Sequence, residues 1–219
     1  MLTSLRVLAF LLVVGMLPTL IRADDYVDVV RSVSPRIVKL YGAGGLSGLE
    51  AYQTGVIISP NGHVLTTWSY VLDTDDIGVV LEDGRRLAGE LVGADPIVEI
   101  AVLKCDAGEQ ELPHFDLFNA QPAHLGTPIL AFSNLFGIAA GAERVSVLHG
   151  VVCATGPLAA RRGAYDLRYQ GDVYVLDAVT SNPGAAGGAV TDVDGNLLGL
   201  IGKEVRSQLT GTWLNFAIP

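Results

Sequence analysis

Positive charge, histidine and cysteine are all scarce in this 219-residue sequence, and each scarcity excludes a kind of function. Lysine and arginine total 14 against 23 acidic residues, giving a net charge of -9. This argues against a nucleic-acid partner, because phosphate binding needs clustered basic side chains. The small basic cluster of Arg161, Arg162 and Arg168 is typical of a solvated surface loop. The four histidines show no spacing of metal ligands, so we predict neither a metal site nor a cofactor.

The two cysteines, Cys105 and Cys153, leave the question of a disulfide open. Export would permit a disulfide, but two thiols at the ends of predicted strands are equally well separate core residues. Neither cysteine has a histidine placed in sequence to indicate a thiol catalyst.

Long apolar runs are absent after the N-terminal one. Residues 1–23 read as an export signal: Arg6 precedes an apolar run over residues 7–17, Pro18 interrupts it, and Ile21-Arg22-Ala23 offers a cleavage site. An uncleaved membrane anchor is the alternative, but the run is shorter than the roughly 20 residues that span a bilayer. The sequence therefore predicts an exported protein, periplasmic or secreted, that contacts a membrane only if the N-terminal segment is retained.

The rest of the chain has the pattern of an all-β protein. Half of its residues are hydrophobic and 17% are charged, the composition of a globular domain. Short alternating runs are separated by Asn-Gly and Asp-Gly turns, and only residues 24–33 have helical spacing. At Asp192–Asn196 a calcium loop is the alternative to a hairpin turn. The loop lacks the distal bidentate glutamate, so the sequence favours the turn.

A glycine-rich turn, Asn182–Val190, leads into one of these strands and reads Asn-Pro-Gly-Ala-Ala-Gly-Gly-Ala-Val. Gly184, Gly187 and Gly188 permit positive φ angles and the close approach of another chain, so successive N–H groups can converge on one oxygen. That is the geometry of an oxyanion hole. Taken alone, the turn fits any β protein equally well, because glycine clusters between strands are common.

The same turn resembles the Asn-Pro-Gly-Asn-Ser-Gly-Gly-Pro-Leu loop of the HtrA/DegP family of trypsin-like serine proteases, with Ala186 at the serine position. Residues 55–71 are similar to the family's segment that delivers the catalytic histidine, and Ser69 stands at that position. Residues 93–104 resemble the strand that carries the catalytic aspartate, usually Asp-Pro-x-x-Asp-Leu-Ala-Val-Leu, and Glu99 stands there. Further similar segments follow at residues 125–137, 145–153 and 213–219.

The resemblance covers about residues 25–219 and implies a fold. It implies a trypsin-like double β-barrel, with two perpendicular six-stranded barrels, a cleft between them and a short N-terminal helix. The first barrel would occupy residues 24–118 and the second residues 124–219. Residues 159–172 match no pattern and are expected to form a surface loop beside the cleft. The chain stops at the family's closing strand, so no PDZ domain is expected to follow.

With Ser69, Glu99 and Ala186 at the triad positions, we predict a catalytically inactive pseudoprotease. A hydroxyl cannot act as the proton shuttle that imidazole provides, and a methyl group cannot attack a carbonyl. The cleft would instead hold an extended peptide or an unfolded protein by strand addition. We expect two backbone segments to contact it: Gly184, Ala185 and Ala186 in the turn, and Leu200, Ile201, Gly202 and Lys203 in the next strand. The glycines would equally be retained for folding alone.

Two alternatives belong to other classes of function. An active serine endopeptidase with a rebuilt site would need Ser181 or Ser69 as nucleophile and His63 or His149 as base, and sequence alone places none of these together. A structural subunit would assemble with itself or with active relatives. Family members commonly form trimers through the segment before the first strand, here residues 24–33.

Overall fold

The computed structural model describes residues 25–44, 51–162, 164–166, 169 and 171–219. The predicted export signal lies outside these residues, and no helix within them has the length and apolarity needed to cross a bilayer. The first half contains helix α1 Asp25–Val33 and strands β1 Ile37–Tyr41, β2 Tyr52–Ile57, β3 His63–Thr67, β4 Ile77–Val80, β5 Arg86–Asp95 and β6 Ile100–Cys105. These six strands close into a barrel in the order β1-β2-β3-β6-β5-β4.

A second closed barrel follows. The strands of this half are β7 Pro128–Ser133, β8 Ser146–Pro157, β9 Ala160–Arg162, β10 Tyr165–Asp166, β11 Asp172–Leu176, β12 Ala189–Thr191, β13 Leu197–Ile201, β14 Val205–Ser207, β15 Trp213–Leu214 and β16 Phe216–Ile218. Six of them form the barrel in the order β11-β16-β13-β12-β7-β8, and the other four form a small sheet in the order β10-β9-β14-β15. The predicted double six-stranded barrel with a short N-terminal helix is confirmed.

Alternation of apolar residues produces these strands. In β6, Ala101, Leu103 and Cys105 are buried while the residues between them are partly exposed, which is the period of a strand with one face on a core. Cys105 and Cys153 are both free thiols, so the two cysteines do not pair. Burial raises the pKa of the Cys105 thiol.

The two barrels share a hydrophobic core. One buried cluster joins Ile37 and Val56 of the first barrel to Leu130, Phe132 and Leu200 of the second. Each barrel also has a buried cluster of its own, so this third cluster is the one that packs the two barrels against each other.

Lys39 of β1 also reaches the second half of the chain. The residue is 1% exposed, and its Nζ donates hydrogen bonds to the carbonyls of Gly141 at 2.5 Å and Glu143 at 3.0 Å. Burial lowers the pKa of Lys39, and the nearby carboxylates of Glu143 and Glu82 act against that shift. The lysine therefore holds the 141–143 loop against the first barrel.

Helix α1 contacts the second barrel, and its apolar residues also pack on the cluster that spans both barrels. Tyr26 Oη lies 3.3 Å from His149 Nε2 on β8. In the β12–β13 turn, a Cβ added to Gly195 would lie 3.1 Å from Val33 Cγ2, so the helix lies directly against that turn.

The Asp192–Asn196 turn joins β12 to β13 as a hairpin, which confirms that expectation. Asp192 Oδ1 accepts hydrogen bonds from the N–H groups of Asp194 and Asn196, each at 2.9 Å. The carboxylate closes the turn on its own backbone, the usual role of aspartate at this position.

Residues 159–172 were predicted as a surface loop, and this was wrong in part. They contain β9 and β10, which join β14 and β15 in the small sheet. One face of that sheet is buried, because Ala160 and Val205 pack with Val173 and Phe216 in one cluster. Strands of two or three residues are too short for alternation to be visible in the sequence.

Candidate functional site

A cleft of about 990 Å³ lies between the two barrels and the small sheet. It contains the positions that the sequence singled out, Ser69, Ala186 and Lys203, so these residues from distant parts of the chain share one site. Aromatic side chains make up much of the lining: Tyr52, Trp68, Tyr70 and Trp213. A concave, mostly apolar surface with a few polar groups is the usual form of a binding site.

Ser69 begins the 3₁₀ turn Tyr70–Leu72 at the end of β3. Its Oγ accepts a hydrogen bond from Val71 N at 3.1 Å and donates one to Gln53 Oε1. Gln53 is itself buried, with Nε2 donating to Thr66 Oγ1 at 2.8 Å and to the Thr67 carbonyl at 3.0 Å. The acceptor next to the Ser69 hydroxyl is therefore a neutral amide oxygen, which cannot take its proton as a base would.

Glu99 forms an ion pair with Lys203. Lys203 Nζ lies 2.9 Å from Glu99 Oε1, and both side chains are 12% exposed. The same Nζ donates to the carbonyl of Trp68 at 2.8 Å and lies 5.9 Å from the centre of the Trp68 ring. Glu99 has a positive φ of 58°, and its carbonyl accepts from Trp68 N at 2.9 Å. The carboxylate that would orient an imidazole is thus bonded to an ammonium.

The glycine-rich turn is fixed by packing against both barrels. A Cβ on Gly184 would lie 2.3 Å from Asn134 O, one on Gly187 2.2 Å from Thr54 O, and one on Gly188 2.3 Å from Phe132 O. Such distances are far inside van der Waals contact, so only glycine fits. The retention of these three glycines therefore follows from folding alone, and ligand binding is not needed to explain it.

Two backbone donors of the turn are nevertheless available. Ala185 was expected to contact the ligand. It is instead fully buried, and its N–H donates to Asn182 O at 3.1 Å. Within the described residues, the N–H groups of Gly184 and Ala186 have no protein acceptor, and both residues line the cleft. Unpaired N–H groups at a binding surface can donate to a carbonyl or carboxylate oxygen of a ligand.

Known proteins share this arrangement of strands and motifs. Residues 53–200 match the family described as the trypsin-like peptidase domain. The chain belongs to this family. Serine endoprotease DegS of Haemophilus influenzae is 30% identical over 213 residues, which is 90% of this chain and 58% of DegS. A probable periplasmic serine endoprotease, DegP-like, of Halomonas elongata is 35% identical over 76% of this chain and 32% of its own length. The chain thus spans about a third to three fifths of these relatives.

Solved structures of proteases, one of them of the HtrA type, resemble this trypsin-like domain. The MamO protease domain of Magnetospirillum magneticum, in its apo form, has a TM-score of 0.67 and 26% identity, covering 86% of this chain and 93% of that one. A serine-to-alanine variant of the HtrA-type protease AlgW, with a tripeptide, has a TM-score of 0.69 and 31% identity, covering 89% of this chain and 59% of that one. The chain therefore carries a trypsin-like domain of the HtrA/DegP type.

The serines and histidines of a rebuilt trypsin-like site do not meet. His63 Nδ1 lies 2.8 Å from Ser59 Oγ at the start of β3, whereas Ser69 follows the other end, about 20 Å away along an extended chain. His149 contacts Tyr26 on α1. Ser181 Oγ is buried and has no hydrogen-bond partner among the residues that the structure describes. Among the described residues, no histidine lines the cleft and no group of side chains is arranged to hold a metal ion.

The strand expected to accept a peptide is largely inaccessible in this trypsin-like domain. Leu200 and Ile201 are buried and pair with β16, and Leu200 also pairs with β12. Gly202 N donates to Phe216 O at 3.0 Å, and a Cβ on Gly202 would lie 2.2 Å from the Phe216 ring. Of the four residues, Lys203 lines the cleft, and it does so with its side chain bonded to Glu99.

Sequence reasoning missed several residues of the trypsin-like cleft. Gln53 holds Ser69, and Arg161, Arg206 and Trp213 form one wall. The basic cluster that includes Arg161 was visible in an otherwise acidic sequence but was interpreted as solvated. Nothing in the sequence marks Gln53 or Arg206, because their roles depend on contacts between distant strands.

Proposed function

We propose that the protein is an exported HtrA/DegP-type pseudoprotease that binds an extended peptide or unfolded protein in its cleft without cleaving it. One observation carries the proposal: Lys203 is bonded to Glu99 at the site where a triad needs an imidazole beside its carboxylate. Ser69 is bonded to a neutral amide and Ala186 offers a methyl group. Losing a whole triad costs on the order of a million-fold in turnover.

Peptide binding is supported by the form of the cleft. Its volume of about 990 Å³, its aromatic lining and the N–H groups of Gly184 and Ala186 suit a chain with apolar side chains and backbone carbonyls. The AlgW variant that shares this fold was solved with a tripeptide. Export is supported by the periplasmic relatives and by the predicted signal at residues 1–23. Assembly into a homo-oligomer or with active relatives stays a prediction.

The test combines binding and cleavage in one sample. Fluorescein-labelled peptides from denatured casein are titrated with the purified protein, followed by anisotropy, and the recovered peptides are then weighed by mass spectrometry. We expect saturable binding and intact peptides. Ala186→Phe should weaken binding at least about tenfold, because a phenyl ring would fill the cleft floor, whereas Ala120→Phe in the exposed linker should not.

Two results would contradict the proposal. Absence of saturable binding would remove the peptide-binding function. Cleavage that persists through purification and is abolished by Ser69→Ala would instead indicate an active serine endopeptidase with a rebuilt site. Gly202 is unsuitable for such tests, because any side chain there would strike the core residue Phe216.

A further inference from the structure

A row of three residues crosses part of the small sheet. Backbone register pairs Arg161 with Arg206, and Arg206 with Trp213. Directly opposite residues project from the same face of a sheet. Arg161, Arg206 and Trp213 all line the cleft, so this face of the sheet forms a cleft wall, while Ala160 and Val205 on the other face are buried.

The two arginines of this row stand side by side without a neutralising partner. Within the described residues, neither guanidinium makes a hydrogen bond or ion pair, whereas Arg31, Arg85 and Arg144 each pair with a carboxylate. Like charges directly opposite in a sheet are destabilising. The two arginines are paired in this way in a chain whose net charge is -9.

Arg206 is also held in place for an incoming ligand. Its Cζ lies 4.4 Å from the centre of the Trp213 ring, a cation–π contact that restricts the movement of the side chain. A restricted guanidinium loses less freedom when it donates two parallel hydrogen bonds to a carboxylate. The other cleft cation, Lys203, is already bonded to Glu99. The arginine pair is therefore a place in the cleft where an anionic side chain of a ligand would be recognised.

We propose that the cleft selects peptides with acidic side chains, whose carboxylates are bound by Arg161 and Arg206. This inference rests on the proposed peptide-binding function and names its ligand class. The charge of the cleft favours one or two carboxylates over a polyphosphate, because Asp73 and Glu204 also line it and would repel a continuous chain of negative charges. The aromatic and apolar lining binds the rest of the peptide.

The test compares three fluorescein-labelled peptides of one apolar sequence that carry Glu, Gln or Lys at the same two positions. Anisotropy titrations at low ionic strength should give a dissociation constant for the Glu peptide at least about tenfold below that of the Gln peptide. The difference should shrink at about 1 M salt, where charges are screened within about 3 Å. The double variant Arg161→Gln with Arg206→Gln should lose the preference and bind the Glu and Gln peptides with equal dissociation constants.

Matched controls separate this idea from general charge attraction. Arg31→Gln with Arg85→Gln removes the same charge from exposed sites that do not line the cleft, and it should keep the preference. Equal binding of Glu and Gln peptides, or equal weakening of both by the cleft double variant, would overturn the acidic preference and leave peptide binding standing. Failure of every peptide to bind would overturn both proposals. A single-stranded oligonucleotide that binds as tightly, through the same arginines, would overturn the choice of a peptide.

Discussion

Lys203 shows, at the scale of single residues, that the site around Ser69 and Glu99 involves more than the three positions aligned with the family's triad. Its ammonium lies 2.9 Å from Glu99 and also bonds the carbonyl of Trp68, the residue before Ser69. A histidine introduced at position 69 would therefore find the orienting carboxylate already bonded. Changing Ser69, Glu99 and Ala186 alone leaves this competing cation in place.

We predict that Lys203→Ala destabilises the fold by on the order of 3 kcal/mol, because it leaves the nearly buried Glu99 carboxylate without its cation. Replacing the pair together, as Lys203→Met with Glu99→Leu, should recover most of this loss, since no buried charge remains. Urea unfolding followed by circular dichroism measures both. Arg85→Ala, which removes an exposed ion pair with Asp83, serves as control and should cost under about 1 kcal/mol. A Lys203→Ala variant as stable as the control would contradict the prediction.

The positions aligned with the family's triad could be located from sequence, and their partners could not. Ser69, Glu99 and Ala186 each lie within a motif that resembles the HtrA family, so their neighbours in the chain identify them. Lys203 and Gln53 act through contacts between segments far apart in sequence. Such contacts depend on how distant segments pack together, and no local sequence pattern predicts that packing.

At the scale of elements, the glycine-rich turn shows how packing determines which residue a position can hold. Gly187 has a φ of 82°, and an added Cβ would lie 2.2 Å from Thr54 O and 2.3 Å from Thr66 Oγ1. Both contacts are to the first barrel, so this turn of the second barrel acts as part of the boundary between them. The cluster of glycines in the sequence is therefore explained by this close packing.

We predict that Gly187→Ala destabilises the protein by about 3 kcal/mol, through a left-handed alanine and a clash with backbone. For a chain of this length the melting temperature should fall by about 6–12 °C. Gly93→Ala is the matched control, because a Cβ there meets nothing within 4 Å, and it should change stability by less than about 1 kcal/mol. Equal melting temperatures for the two variants would contradict the prediction, because they would show that the turn can accommodate a side chain at position 187.

The sequence predicted some of the other elements well and missed others. The Asn-Gly and Asp-Gly turns indicated hairpins, and the strands beside them lie close to their expected bounds. The small sheet was missed because β9 and β10 are only 3 and 2 residues long. The existence of α1 was predicted from its spacing, but its contact with the second barrel was not, because an apolar helix face does not specify which surface covers it.

At the scale of the whole molecule, buried contacts join the two barrels. The shared cluster, Lys39 and the glycine-rich turn all join one half to the other. Individual strand patterns predicted an all-β protein. The closure of two barrels was predicted only by the family resemblance, because closure depends on pairings such as β1 with β4 that local alternation does not reveal.

We predict that the two barrels unfold in a single transition. The chain has two tryptophans, Trp68 in the first barrel and Trp213 in the second half, so Trp68→Phe and Trp213→Phe each leave one fluorescent reporter. Urea midpoints from the two variants should agree with each other and with circular dichroism, because a shared core makes unfolding all-or-none. Midpoints that differ by more than about 0.5 M would show that the barrels unfold separately.

The steric fit of Gly184, Gly187 and Gly188 also bears on how motifs persist in evolution. Selection for a stable fold preserves these glycines whether or not the turn ever performs chemistry. Ala186, which lies just before Gly187, lines the cleft. A sequence signature built on the glycines therefore records the barrel architecture, and it carries no information on whether the residue at position 186 can act as a nucleophile.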